Sequence, residues 1–277
     1  MLDVKPRKIL VGVGQPDDLD GVLEFAAVEA VRRQCGVHLM HAVSAGSRHG
    51  DGTELSFTGD TMQHAGTGVL VTAAQRLEEL LTDDLSVTTE LVHDTAASAI
   101  NEASPHACLV LLQRRPQPGI THGVRSVTHG VSGRAAVPVL VVPSSWRRDG
   151  ERTPVVAGVG EPAVSGSLVN AALEMARRAR TDLHLVHARP DGHPSGGVEA
   201  ADHHDFADLL AEYPDVRIES RVERGAPEDT LVAAGDAASL VVIGRHHRKH
   251  GMGPRLGSTA RAVLERAACP VMVVEPG

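Results

Sequence analysis

The residues best suited to chemistry form one stretch late in the chain: Gly244-Arg-His-His-Arg-Lys-His-Gly-Met-Gly-Pro-Arg-Leu-Gly-Ser-Thr259. The chemistry it suits is anion binding. Gly244 follows an apolar run and lets a ligand approach the backbone closely. Gly251, Gly253 and Gly257 make a loop whose N–H groups can turn inward. Ser258 is a natural N-cap, and the free N–H groups of the helix predicted after it favour a phosphate. Arg245, Arg248, Lys249 and Arg255 add positive charge to a chain whose net charge is −8. The plain alternative is a solvated glycine loop capped by a serine.

Other constellations are weaker. Gly158-Val-Gly-Glu-Pro-Ala163 fits a loose dinucleotide fingerprint, and Arg189 stands where an Arg for an NADP 2′-phosphate would stand. Pro162 interrupts that turn, and no hydride-transfer partner is visible. Of the sixteen histidines, His246, His247 and His250 cluster in the glycine loop. Fixed spacing and supporting carboxylates are missing, so no metal site is predicted. Adjacent His203 and His204 diverge by about 100° on a helix and make a poor chelate. The loop histidines would instead give pH-dependent charge near neutrality. His41 and His187 end the second strand of their respective repeats, where a hydrogen-bonded strand-end role is the simple reading. Nucleophilic catalysis has little support: Ser132 is followed directly by Gly133, which breaks the Gly-x-Ser-x-Gly spacing. Cys108 and Cys269 read as small buried hydrophobes, and Arg177-Arg-Ala-Arg180 as the solvated end of a helix.

The elements that must position these residues come in two sets. Lys8-Ile-Leu-Val-Gly-Val-Gly14 returns as Pro154-Val-Val-Ala-Gly-Val-Gly160, and Val37-His-Leu-Met-His-Ala42 as Leu183-His-Leu-Val-His-Ala188, both 146 positions later. Ala107-Cys-Leu-Val-Leu-Leu112 returns 131 positions later, and Val137-Pro-Val-Leu-Val-Val142 returns as Cys269-Pro-Val-Met-Val-Val274. The drop in spacing puts an excess of about 15 residues in the first copy, between its second and third strands. Two complete domains are therefore expected, over 1–145 and 152–277, with a linker at 144–153.

In the first copy, short apolar β-branched runs predict strands at 9–13, 37–43, 87–92, 108–112 and 139–142. Helical spacing predicts helices at 19–35, 69–81, 95–104 and 128–136, and the Gly, Ser, Thr and Asp content of 44–66 predicts a loop. In the second copy, strands are expected at 155–159, 183–188, 217–222, 240–243 and 271–274. Helices are expected at 167–180, 205–211, 227–235 and 259–267. Strand–helix alternation with apolar strands means a parallel sheet covered on both faces, with ligands at the carboxyl ends of the strands.

Composition narrows the function classes. Acidic net charge and five aromatics argue against nucleic acid and anionic membrane as partners. No apolar run has the roughly 18 residues of a membrane span, and the first residues have no signal-peptide-like segment. Cys35, Cys108 and Cys269 are few, odd in number and widely spaced, which suits a reducing cytoplasm.

The late stretch also resembles the universal stress protein family. Nucleotide-binding members carry Gly, two residues, Gly, nine residues, then Gly-Ser or Gly-Thr, a helix and a Cys-Pro-Val strand. Here Gly244, two residues, His247, nine residues and Gly257-Ser258 keep the spacing, and Cys269-Pro-Val271 follows. The resemblance covers nearly the whole chain as two tandem domains. It implies flavodoxin-like, Rossmann-like α/β domains with five-stranded parallel sheets of order 3-2-1-4-5. It also implies pairing of the two last strands in an internal pseudo-dimer.

It further implies ATP or another adenine nucleotide as ligand, with no dedicated catalytic apparatus and at most slow incidental hydrolysis. Gly244, Gly257, Ser258 and Thr259 are expected at phosphate, with His246 and His247 beside it and Gly160 and Arg189 near the nucleoside. Mg²⁺ is compatible with the nucleotide, but no residue pattern requires a metal. Three departures stand out. His247 replaces the second glycine and either blocks phosphate or hydrogen-bonds it. The Asp that ends strand one in binding members is replaced by Gly14 and Gly160. In the first copy, Gln113, Pro116 and Arg125-Ser126 replace the motif, so that half is expected to have lost nucleotide binding. The resulting expectation is a cytoplasmic stress-response protein in which nucleotide binding to the second domain gates an unknown protein partner, with a homodimer as a further assembly. The rival is a nucleotide-free scaffold with both sites decayed.

Overall fold

The computed structural model describes residues 7–14, 19–43, 59–82, 84–115, 126–148, 152–160, 165–189, 206–245 and 256–275. The chain forms two compact units, 1–137 and 138–277.

The first unit contains β1 (Lys8–Gly12), α1 (Asp20–Arg33), β2 (Val37–Ala42), α2 (Gly59–Leu80), β3 (Val87–Val92), α3 (Ala96–Ala103), β4 (Ala107–Arg114) and α4 (Val127–Ser132). Its strand order is β3-β2-β1-β4, and the pairings are parallel. Ile9, Leu10 and Val11 are buried on both sides, as expected of a parallel sheet under two helical layers. α1 packs with α2, and α3 with α4. Thr95 caps α3 by accepting from the Ser98 N–H. α1 ends at Gln34 in the left-handed conformation, and the Cys35 N–H donates back to the Ala30 carbonyl at 3.1 Å.

The second unit opens with β5 (Val139–Pro143), the last strand of the first repeat. It continues through β6 (Val155–Gly158), α5 (Gly166–Ala179), β7 (Leu183–Arg189), α6 (Ala207–Ala211), β8 (Ile218–Arg224), α7 (Pro227–Gly235), β9 (Leu240–Gly244), α8 (Ser258–Arg266) and β10 (Val271–Val274). The order β8-β7-β6-β9-β10 is the expected 3-2-1-4-5. β5 runs antiparallel to β10, with Val139, Leu140 and Val141 opposite Val273, Met272 and Val271. The last strands of the two repeats therefore pair as anticipated.

Four local expectations need correction. Residues 59–66 are helical rather than loop, so α2 begins ten residues before the predicted start. Gly66 explains how: a Cβ there would lie 2.7 Å from the Leu91 side chain and 3.1 Å from that of His41. Its absence lets the helix sit on β2 and β3, and that packing outweighs the weak helix propensity of glycine. Residues 44–58 lie outside the described set. α4 stops at Ser132, four residues early, because Gly133 and Arg134 form a turn that precedes β5. Ser258 is the first residue of α8, not its cap; Gly257 holds the cap position. Cys108 is half-buried rather than sealed in the core.

Candidate functional site

In the second unit three strands end side by side. β6 pairs with β9 through Val155–Leu240, Val156–Val241 and Ala157–Val242, and with β7 through Gly158–Val186. Gly160, Arg189 and Gly244 thus stand at the carboxyl ends of neighbouring strands, and α8 starts from the connection that leaves β9. This is the end of a parallel sheet at which ligands bind.

Each position has a local reason. Gly158 is a packing glycine: a Cβ would stand 2.7 Å from Leu231 of α7. The dinucleotide-like Gly158-Val-Gly160 therefore owes its first glycine to helix–strand packing. Gly160 differs, since no described atom lies within 4 Å of where its Cβ would be. Gly244 has only ordinary contact with Leu168, at 3.5 Å. Arg189 ends β7 half-buried, and its carbonyl accepts the Gly225 N–H at 2.8 Å. Gly225 needs to be glycine, because its φ is +142°.

The start of α8 has the character of an anion site. No side chain caps it, and no acidic residue stands in its first turn. Ser258 is exposed, while Gly257 and Thr259 are half-buried above Leu256 and Ala260. The first amides of a helix have no partner within it and carry the positive end of the dipole.

Arg245 was expected among the loop cations, but its side chain is only 7% exposed and meets the Glu275 carboxylate at 2.6 Å. Its N–H donates to the Val274 carbonyl. The extended Val-Val-Glu ending of β10 was the one sign that a carboxylate would arrive beside Gly244. Arg245 is thus held by Glu275 at the end of β9. His246, His247, Arg248, Lys249 and Arg255 lie outside the described residues, as do His203, His204, Pro116 and Arg125.

His187 is a site element whose orientation only the structure reveals. Its Nδ1–H donates to the Val159 carbonyl at 3.1 Å, beside Gly160. When the ring is neutral, that bond leaves Nε2 as the acceptor nitrogen. His41 does the same with Val13 at 2.8 Å. The hydrogen-bonded strand-end role holds in both repeats.

At the corresponding end of the first unit, the Arg115 guanidinium lies 3.7 Å from where a Gly14 Cβ would be, and Gln113 takes the place of Gly244. α4 begins at Val127 after Ser126, whose hydroxyl bonds that of Thr128 at 2.6 Å.

The other candidates lie away from these strand ends. Arg177 stacks over Tyr213 at 5.7 Å and pairs with Asp215 at 3.2 Å, so the arginine run is anchored as well as solvated. Burial, followed by Glu174 and Glu212, pushes the Tyr213 phenol up. Among the described residues no group of three or more His, Cys, Asp or Glu side chains is placed to hold a metal. None of their helices is long and apolar enough to cross a membrane.

The sequence pattern of the universal stress protein family matches residues 5–143 and again 151–275. The chain belongs to the universal stress protein family. It is 30% identical to a universal stress protein of Mycolicibacterium smegmatis, over 97% of each chain. It is likewise 30% identical to universal stress protein Rv2005c of Mycobacterium tuberculosis, over 97% of this chain and 98% of that one. A universal stress protein of Archaeoglobus fulgidus shares the fold with a TM-score of 0.76 at 17% identity, covering 99% of this chain and all of that one. The tandem universal stress protein architecture thus extends over both repeats.

Proposed function

We propose that the functional units of this universal stress protein are the repeats 1–145 and 152–277, and that the second binds ATP or another adenine nucleotide. The observation that carries this reading is the uncapped, acid-free start of α8, set at the strand end where Gly160 and Gly244 leave the backbone accessible. Phosphate sits on the amides of Gly257, Ser258 and Thr259, with Gly244 below and the His246–His247 segment beside it. The nucleoside lies toward Gly160 and Arg189. His187 holds its ring against Val159 and presents Nε2 as an acceptor.

Holding the anion is the whole task assigned to these residues. No residue is assigned to bond cleavage, so the protein is a binder rather than an enzyme, and Mg²⁺ is no more than a companion of the nucleotide. Occupancy changes the surface offered to a protein partner in a cytoplasmic stress response. The first repeat, with Arg115 over Gly14 and Gln113 in place of Gly244, serves as partner and scaffold.

The test is mass spectrometry of small molecules released by acid from fresh protein, beside calorimetric titration with ATP. About one equivalent of adenine nucleotide, lost in Gly257→Val with Ser258→Ala, is expected. No retained nucleotide and no heat up to millimolar ATP would overturn the binding reading and leave the scaffold role.

A further inference from the structure

At the amino ends of the first unit's strands, opposite the ligand end, two cysteines from different elements face each other. The Cys35 and Cys108 sulfurs are 3.9 Å apart. Cys35 lies where α1 turns into β2, and its N–H is tied to Ala30, so its backbone is fixed. Cys108 lies in β4 at an irregularity: Lys8 pairs with Ala107, but Ile9 pairs with Leu109. Cys108 is the extra residue of a β-bulge, a device that re-aims a side chain. The two elements are separated by β1, and the bulge is where the sulfur from β4 meets the one beside β2.

The second repeat is an internal control. Thr181 stands at the position of Cys35 and Ser239 at that of Cys108. Their hydroxyls bond separate carbonyls just before β6: Thr181 donates to Thr153 at 2.9 Å and Ser239 to Pro154 at 3.2 Å. The β6–β9 pairing is regular from Val155–Leu240 onward. No hydrogen bond joins Thr181 to Ser239, and only in the first repeat are both groups sulfur.

We propose that Cys35 and Cys108 form a reversible redox pair that closes to an intramolecular disulfide on reaction with a hydroperoxide. Cys108 is half-buried and Cys35 only 3% exposed, so Cys108 meets the oxidant. The hydrogen bond to Cys108, followed by burial, pushes the Cys35 thiol up, which makes Cys35 the poorer nucleophile toward peroxide and leaves the first step to Cys108. The Cys108 thiolate attacks the peroxide oxygen; the O–O bond breaks and the alcohol, or water from hydrogen peroxide, leaves with a proton. The resulting Cys108 sulfenic acid is attacked by the Cys35 sulfur. The S–S bond forms, the S–O bond breaks, and hydroxide leaves as water with the Cys35 proton. Two thiols and one peroxide become one disulfide, one alcohol and one water. The sulfurs must approach by about 2 Å to reach bonding distance. A cellular dithiol reverses the step by exchange. The bond would tie the α1–β2 junction to β4 across β1.

The test is peroxide treatment of the reduced full chain, followed by intact-mass and peptide mass spectrometry without reductant. The expected result is loss of two hydrogen atoms per chain, a fall in thiols titrated in denaturant from three to one, and a peptide link between Cys35 and Cys108. Dithiothreitol should restore all three thiols. Cys108→Ser should abolish the link, and so should Cys35→Thr, each installing the second repeat's residue. Three thiols surviving peroxide, Cys108 over-oxidised with Cys35 untouched, or links formed only between chains would overturn the proposal.

Discussion

Each repeat has a glycine two residues beyond its first strand, and the described atoms around it differ. Above Gly14 lies the Arg115 guanidinium; around Gly160 no described atom lies within 4 Å. The neighbouring strand ends in Gln113 in one repeat and Gly244 in the other. The supporting elements are nevertheless alike. Gly12 and Gly158 both yield to a helix side chain, and His41 and His187 both donate to the carbonyl after strand one. A frame can thus be kept by packing while the ligand end it presents diverges, because core positions are constrained by many neighbours and strand-end loops by few.

The buried interior diverges as well. Glu29 in α1 has a fully buried side chain held by Arg32 and Arg33 at 3.0 Å each. The equivalent position in α5 is Met175, also buried. A buried carboxylate is stable only while its cations are in place. Removing both in Arg32→Ala with Arg33→Ala should destabilise the first unit by about 3–5 kcal/mol. Glu29→Met, which copies the second repeat, should stay within about 1 kcal/mol of the parent. Urea unfolding checks both, and a large loss in Glu29→Met would show that the two helices are not interchangeable here.

The next largest effect tests the strand ends. Gly160→Arg places in the second repeat the group that stands over Gly14. It should weaken ATP binding roughly 100-fold, about 2.8 kcal/mol. Its melting temperature should hold, since no described atom lies within 4 Å of where the side chain starts. Calorimetry beside thermal melting separates the two, and undiminished affinity would move the nucleoside away from Gly160.

A shared feature should give a shared effect. His41→Ala and His187→Ala each remove one ring-to-carbonyl bond and should cost about 1 kcal/mol apiece in denaturant unfolding. Only His187→Ala should also weaken ATP binding. Equal loss of binding from both would contradict a single site in the second repeat.

The smallest effect lies on edge strand β8. The hydrogen bond from Arg221 first, with His184 and Arg217 nearby, holds the exposed Glu219 carboxyl below its ordinary value of 4.5. A lowered folded value adds stability that is complete above the ordinary value and is lost as pH falls through the lowered one. The stability gap between the parent and Glu219→Gln should therefore close on acidification, as followed by urea midpoints across that range. The first repeat has no such cluster: His38 there meets Thr88 and Glu90.

Much of this protein is determined by sequence alone. Two repeats and parallel sheets follow from runs such as Ile9-Leu-Val11 and their return at 146 positions, and the strand order from the family resemblance. Apolar periodicity is a local record of burial, so it can be read without coordinates. The spacing from Gly244 to Ser258 is equally local. What only the tertiary structure decided are contacts between distant residues. Glu275 takes Arg245, Arg115 covers Gly14, Gly66 lets α2 begin early, and a bulge in β4 turns Cys108 toward Cys35. None of these leaves a periodic trace, because each joins side chains whose proximity depends on register and packing rather than on neighbours in the chain.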